Sequence, residues 1–260
     1  MKFLCLHGSY GSANNFETQL VPFFNEMEKS TPGRFRCING FQATKAPPGF
    51  EDYFGAPPLF KFFERDGAIA VNKFVEELRN FPPGISPEDC LRIFINKQDE
   101  PYDLEGFRKT MSQLHKIIAE DPDIEGILGY SEGAMVAATL ILEERRKWEE
   151  FRVPRRIKCA IFFAGWPPVR VTGNVVEYLL ADECEDVIDI PTCHVVGCKD
   201  PYINGSMALY DICDQDQAVL FDHGKGHTLP REPLVIKELA TAVNSSIHMS
   251  RAFTADWNSS

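Results

Sequence analysis

The stretch Gly129-Tyr130-Ser131-Glu132-Gly133 constrains this chain more than any other. An apolar run, Ile127-Leu128, enters it, and a helix-like pattern, Ala134-Met135-Val136-Ala137-Ala138-Thr139-Leu140, leaves it. A Gly-x-Ser-x-Gly pentapeptide between a strand and a helix is the setting of a nucleophile elbow, in which a sharp turn lifts a serine hydroxyl above a sheet. Such a turn brings backbone so close that a Cβ at Gly129 or Gly133 would clash. A chain built around it needs a strand, a helix and a sheet for both to pack against.

The flanking sequence supplies that sheet. Phe3-Leu4-Cys5-Leu6, Cys159-Ala160-Ile161-Phe162-Phe163, Thr192-Cys193-His194-Val195-Val196 and Ala218-Val219-Leu220-Phe221 are short, almost unbroken apolar runs. Strands buried on both faces of a parallel sheet read this way. Residues 35–40 form a further strand candidate. Helical spacing marks 14–27 (Phe16, Leu20, Phe23, Phe24, Met27), 69–81, 102–119 (Leu104, Phe107, Met111, Leu114, Ile118) and 234–247. The run 91–95 reads as a short strand or extended wall. The charge run Glu143-Glu144-Arg145-Arg146-Lys147 reads as a solvated face that finishes the nucleophile helix. Alternation of strands and helices predicts an α/β fold, a mostly parallel sheet with helices on both faces. One domain spans 1–247, and the polar tail 248–260 is expected to fray.

With 260 residues, 44% of them hydrophobic and 25% charged, the chain reads as globular. Its net charge of −11 repels nucleic acid. No segment reaches the roughly 18 apolar residues of a membrane span. The N-terminal run meets His7-Gly8 too early for a secretory signal. A cytoplasmic location is therefore expected, without membrane association. The eight cysteines are scattered, with no Cys-x-x-Cys pair or zinc spacing, and are expected as free thiols. Neither a metal nor a cofactor is expected.

Two further loops follow predicted strands. Gly197-Cys198-Lys199-Asp200 carries an acid, and Asp222-His223-Gly224-Lys225-Gly226-His227 carries two histidines. The order Ser131, Asp200, His227 is that of α/β-hydrolases. Ligands in open α/β sheets bind beyond the carboxyl ends of strands, so the three loops can converge. A serine hydroxyl needs a base to take its proton, and a carboxylate must hold that imidazole in the right tautomer. His227 is the favoured base, with His223 as the rival that lies closer to its strand. Asp182, Asp186 and Asp189 rival Asp200, but none follows a buried strand. His7 reads as a residue that orders its loop, with a base role as the alternative. The oxyanion hole is expected from the backbone N–H of Glu132 and of Ser9 or Tyr10 in the loop after the first strand.

Leu6-His7-Gly8, Gly129-Tyr130-Ser131-Glu132-Gly133-Ala134, Phe163-Ala164-Gly165-Trp166, Gly197-x-x-Asp200 and Gly226-His227-x-x-Pro230 together resemble a fungal and animal serine hydrolase family. That family includes the human ovarian-cancer-associated hydrolase and small trans-acting thioesterases encoded beside fungal polyketide synthases. The resemblance covers about residues 1–245. It departs at Glu132, where glutamine is commoner, and in the aromatic segment 41–63. It implies a cofactor-free carboxylic-ester or thioester hydrolase acting on a small-molecule or carrier-protein-bound acyl substrate, with the acyl carrier domain of a synthase as a possible partner. Acyl carriers are acidic, so contact with this acidic chain would require local basic patches.

Segment 41–63, crowded with Pro47-Pro48, Pro57-Pro58 and aromatic residues, suits neither a regular strand nor a long helix. Two readings stay open: aromatics filling a satellite core, or a lid over an apolar substrate. Under the second, Phe54, Phe60, Phe62, Phe63, Phe94 and Trp166 would wall the acyl group. Two other classes also stay open, a lyase-type relative using the same triad and a non-catalytic binding module.

Overall fold

The computed structural model describes residues 1–30, 34–50, 53–63, 84–96 and 103–257. Six strands make one sheet: β1 (Lys2–Leu6), β2 (Arg34–Ile38), β5 (Ile124–Tyr130), β6 (Cys159–Phe163), β9 (Thr192–Val196) and β10 (Ala218–Asp222). They lie in the order β10-β9-β6-β5-β1-β2, and every pairing is parallel. The central strands β6 and β9 are buried at every position, while the edges β2 and β10 are not. Continuous apolar runs thus mark the middle of the sheet.

Because side chains alternate across a strand, the sheet divides the core in two. Phe3, Cys5, Leu128, Ile161 and Cys193 face one side. There they meet Phe16, Leu20, Phe23 and Met27 of α1 (Ala13–Ser30) and Ile236, Leu239, Val243 and Ile247 of α6 (Pro233–Trp257). Leu4, Leu6, Ile127, Ala160 and Phe162 face the other side. Their partners are Phe107, Met111, Leu114 and Ile118 of α3 (Leu104–Glu120) and Val136, Leu140 and Ile141 of α4 (Glu132–Phe151). Helices on both faces of a parallel sheet are the expected α/β arrangement.

Several local expectations change. Residues 91–95 are not a strand but part of α2 (Pro87–Asn96). The deciding signal is Ser86-Pro87-Glu88-Asp89: the Ser86 hydroxyl accepts the Asp89 N–H at 3.1 Å, proline occupies the first turn, and two acids face the helix dipole. α2 packs against α5 (Ile203–Asp211), with Leu91 and Ala208 sharing a small cluster with Leu180. The closing helix runs ten residues past Ile247, and Ser250 is buried with its hydroxyl donating to Ile247 O. The charge run 143–147 lies inside α4, where Glu144 is buried and accepts the N–H groups of Arg156 and Ile157. The helix expected over 69–81 lies outside the described residues. Segment 41–63 contains an antiparallel pair, β3 (Gln42–Thr44) and β4 (Leu59–Lys61), and a hairpin, β7 (Val169–Thr172) with β8 (Val175–Tyr178), follows β6.

Candidate active site

Ser131 sits between β5 and α4 with φ +53° and ψ −116°, a conformation side-chain-bearing residues rarely adopt. Tight packing holds it there. A Cβ at Gly129 would come within 2.5 Å of Ala134 Cα, and one at Gly133 would overlap the carbonyls of Leu6 and His7. The turn is therefore wedged under β1, with the positive end of α4 beneath the hydroxyl.

The loops after β9 and β10 abut each other, as Lys199 N–H donates to Lys225 O at 3.0 Å. This brings Asp200 and His227 to Ser131. His227 Nδ1 lies 2.7 Å from Asp200 Oδ2, and His227 Nε2 lies 3.2 Å from Ser131 Oγ. An ionised carboxylate only accepts, so Nδ1 carries the proton and Nε2 is left to accept from the serine hydroxyl. Asp200 is buried, and its other oxygen accepts the Tyr202 N–H at 2.8 Å. Tyr130 OH donates to His227 O, and the Tyr202 ring stands edge-on to the imidazole at 4.7 Å. Burial, aided by the Asp200 charge, pushes the Tyr202 hydroxyl up to about 12, so it stays neutral.

The rival residues are occupied elsewhere. His223 is buried, its Nδ1 has no hydrogen-bond partner among the described residues, and burial lowers its pKa. Asp182 pairs with Arg92, Asp186 with Arg146 and Arg170, and Asp189 with Arg155. His7 orders its loop: Gly40 N–H donates to Nε2 at 2.8 Å, so Nδ1 carries the proton and donates to Gly8 O at 2.7 Å. Desolvation lowers its pKa to about 4, so it stays neutral.

The loop after β1 presses on Ser131. A Cβ at Gly8 would stand 3.2 Å from Ser131 Cβ, and Tyr10 has a positive φ of 59°. Glu132 N–H, at the first turn of α4, has no intrahelical acceptor. The Glu132 side chain reaches back: one carboxyl oxygen accepts the Ser9 hydroxyl and the other accepts Phe62 N–H at 2.6 Å. Burial raises its pKa, and these bonds pull it back down.

Of the residues expected to wall the acyl group, Phe54 packs at a tilt against Tyr10, ring centroids 4.8 Å apart, and Phe60 is part-buried on β4 beside the same loop. Trp166 stands 6.3 Å from Tyr202, on the histidine side. Phe62 requires a correction. Just past the end of β4, it is wholly buried against His7 and Phe41 and belongs to the core. Phe63 packs on Phe107, and the Phe94 side chain lies outside the described residues. Tyr130 and Tyr202 border His227, and Tyr53, 67% exposed, is close enough to influence the hydroxyls of both.

A parallel sheet with a strained serine at its crest and a histidine–aspartate pair brought to it from later strands has the architecture of an α/β-hydrolase. The chain belongs to the family described as "Serine hydrolase (FSH1)", whose model matches residues 1–239. It is 25% identical over 252 residues to "Esterase FPY3" of Fusarium mangiferae, covering 95% of this chain and 97% of that protein. It is 26% identical over 245 residues to "Hydrolase phiM" of Talaromyces stipitatus, covering 92% and 84%. Among solved structures, Zea mays acyl-protein thioesterase 2 superposes with a TM-score of 0.53 at 15% identity, over 95% of this chain and 93% of that one; at that identity the likeness is one of fold. The chain is thus a serine hydrolase.

Proposed function

We propose that this chain cleaves carboxylic thioesters or esters through an acyl-enzyme on Ser131, and that its substrate is an acyl or polyketide chain released from a carrier protein in fungal secondary metabolism. The carrying observation is the hydrogen-bonded line from Ser131 Oγ through His227 to Asp200. In the first step Ser131 Oγ attacks the acyl carbon while His227 Nε2 takes its proton. Asp200 stabilises the imidazolium. The carbonyl oxygen becomes an oxyanion, held by the backbone N–H groups of Glu132 and of Ser9 or Tyr10. His227 then returns the proton to the leaving thiol or alcohol, and water repeats the sequence to free the acid.

Two aromatic groups, Tyr10, Phe54 and Tyr53 beside the loop after β1 and Tyr202 with Trp166 beside His227, support an apolar acyl group. The carrier-bound substrate rests on the family resemblance and on fungal relatives named as esterases and hydrolases. A cytoplasmic site of action is supported by the eight free cysteines. Among the described residues no helix is long and apolar enough to cross a membrane.

The relatives' printed name "esterase" favours a second reading, a general carboxylesterase on small acyl esters. The two separate on rate. An acyl chain on its carrier, the same chain on a small thiol and the matched oxygen ester are compared by kcat/KM, with acylation of Ser131 read by intact mass. Carrier release predicts a large advantage for the first; equal rates for all three would leave the general esterase.

A further inference from the structure

We propose that the Glu132 carboxylate is the positioning residue of the oxyanion hole, fastening the loop after β1 and the strand β4 to the turn that carries Ser131. The inference rests on the hydrolase reading of that turn. Three segments far apart in sequence meet on this one group. Ser9 donates its hydroxyl to Oε2, and Phe62 donates its N–H to Oε1. β4 is in turn tied to the same loop, because Phe60 N–H donates to Gly11 O at 2.7 Å. It is also tied to α3, through the Thr110 hydroxyl to Phe62 O. The bonds close a ring through residues 9–11, 60–62 and 132, and the Glu132 side chain is its link to the nucleophile.

The geometry gives this ring a catalytic meaning. Glu132 contributes one expected oxyanion donor through its own N–H, while its side chain grips the loop that holds the other. One residue therefore sets the spacing between both donors. The loop needs holding, since Tyr10 sits at φ +59°, a costly conformation for a non-glycine residue. An oxyanion hole works because its donors are already in place when charge develops; donors that wander must be reorganised during the reaction.

The choice of acid has its own logic. A charged acceptor makes shorter and stronger hydrogen bonds than a neutral one. Its charge would oppose a nearby oxyanion, but the Ser9 hydroxyl, the Phe62 and Phe63 amides and the Lys61 ammonium all face it and spread that charge. Lys61 is itself fixed, 4.4 Å above the Tyr10 ring. A glutamine could keep both bonds, its carbonyl accepting from Phe62 and its amide donating to Ser9 Oγ. An alanine could keep neither.

The test compares wild type, Glu132→Ala, Glu132→Gln and Ser9→Ala on p-nitrophenyl butyrate, together with inhibition by a trifluoromethyl ketone, which forms a tetrahedral oxyanion on the serine. Losing a whole oxyanion donor costs about 10² to 10³ in rate, so a misplaced one is expected to cost about 10 to 10² in kcat in Glu132→Ala, with KM within roughly threefold. The ketone's inhibition constant should rise by the same factor, which a purely structural role would not produce. Glu132→Gln should stay within roughly threefold of wild type, and Ser9→Ala, which cuts one tie and keeps the backbone donor, should fall between. Should Glu132→Ala fail to fold, Ser9→Ala against Glu132→Gln decides. A folded Glu132→Ala with wild-type kcat and ketone affinity overturns the proposal, and so does a Glu132→Gln as damaged as the alanine variant. If the wild type itself neither cleaves the ester nor takes a fluorophosphonate label, the hydrolase reading falls and this inference falls with it.

Discussion

The turn at Ser131 and the aromatic segment at residues 53–63 lie on either side of the same loop, but they are built on opposite principles. At the turn, backbone meets backbone: Gly133 lies under the carbonyls of β1, and the position of each atom follows from the strand, the helix and two glycines. In the aromatic segment, side chain meets side chain. Phe54 rests on Tyr10 and on Tyr53, and only β4 is tied down by a ladder. Backbone-built geometry can be read from a pentapeptide; ring-built geometry depends on neighbours that the local sequence does not name. Under the function proposed above, the difference also divides labour, with chemistry on the fixed side and substrate choice on the adaptable one.

The comparison can be broken most directly at the serine. Ser131→Ala should lower kcat on a short acyl ester by about 10⁴-fold or more while the protein stays folded, as removal of a triad nucleophile does elsewhere. A purified variant with more than a few per cent of activity would remove the serine from its role. His227→Ala should cost nearly as much, because triad residues act as a unit. His223→Ala should leave kcat within about threefold, since that imidazole packs without meeting the serine. The reverse pattern would exchange the two histidines.

On the aromatic side the expected effects are smaller, and they separate core from wall. Phe62→Ala should destabilise by about 3–5 kcal/mol in a denaturant titration, as for other fully buried phenylalanines. Phe54→Ala with Phe60→Ala should cost far less stability. Instead it should flatten the dependence of kcat/KM on acyl length, which in the wild type should climb up to roughly fourfold per methylene before levelling. A flat dependence in the wild type would make these rings packing alone.

The smallest effect concerns the hinge between the two regions, His7, which bonds Gly8 on one side and Gly40 on the other. Its pKa is lowered to about 4 in the fold, against about 6.5 in an unfolded chain. Between those values the unfolded state binds the extra proton, so stability should fall as pH drops from about 6.5 to 4, by up to roughly 3 kcal/mol. Buried His194, lowered to about 3, should add to the same slope. Denaturant midpoints across this window should decline less steeply in His7→Asn; an unchanged slope would discharge His7.

The same division explains what the sequence disclosed. β1, β6 and β9 were legible because strands buried on both sides read as almost unbroken apolar runs, and the edge strand β10 carries a run of the same kind, Ala218-Val219-Leu220-Phe221. Ser131, Asp200 and His227 stood out because each follows such a strand. α2 was misread because Leu91-Arg92-Ile93-Phe94-Ile95 is too short to show a period of its own, and the cap at Ser86 was the decisive mark. The β7–β8 hairpin and α5 went unread although Gly173-Asn174 offers a hairpin turn between alternating residues. The Glu132 side chain could not be placed, since its bonds depend on where Ser9 and Phe62 lie.

Holding Ser131 at φ +53° and ψ −116° has a consequence for how this protein can change. A residue in so unfavourable a conformation costs of order 1–3 kcal/mol, which the wedged glycines and the flanking β5 and α4 must offset. Glycine at 131 would escape that penalty, so Ser131→Gly should melt at a higher temperature than the active protein. Screening libraries of this chain for thermal resistance alone would therefore favour dead copies, and any stabilised descendant has to be selected for turnover at the same time.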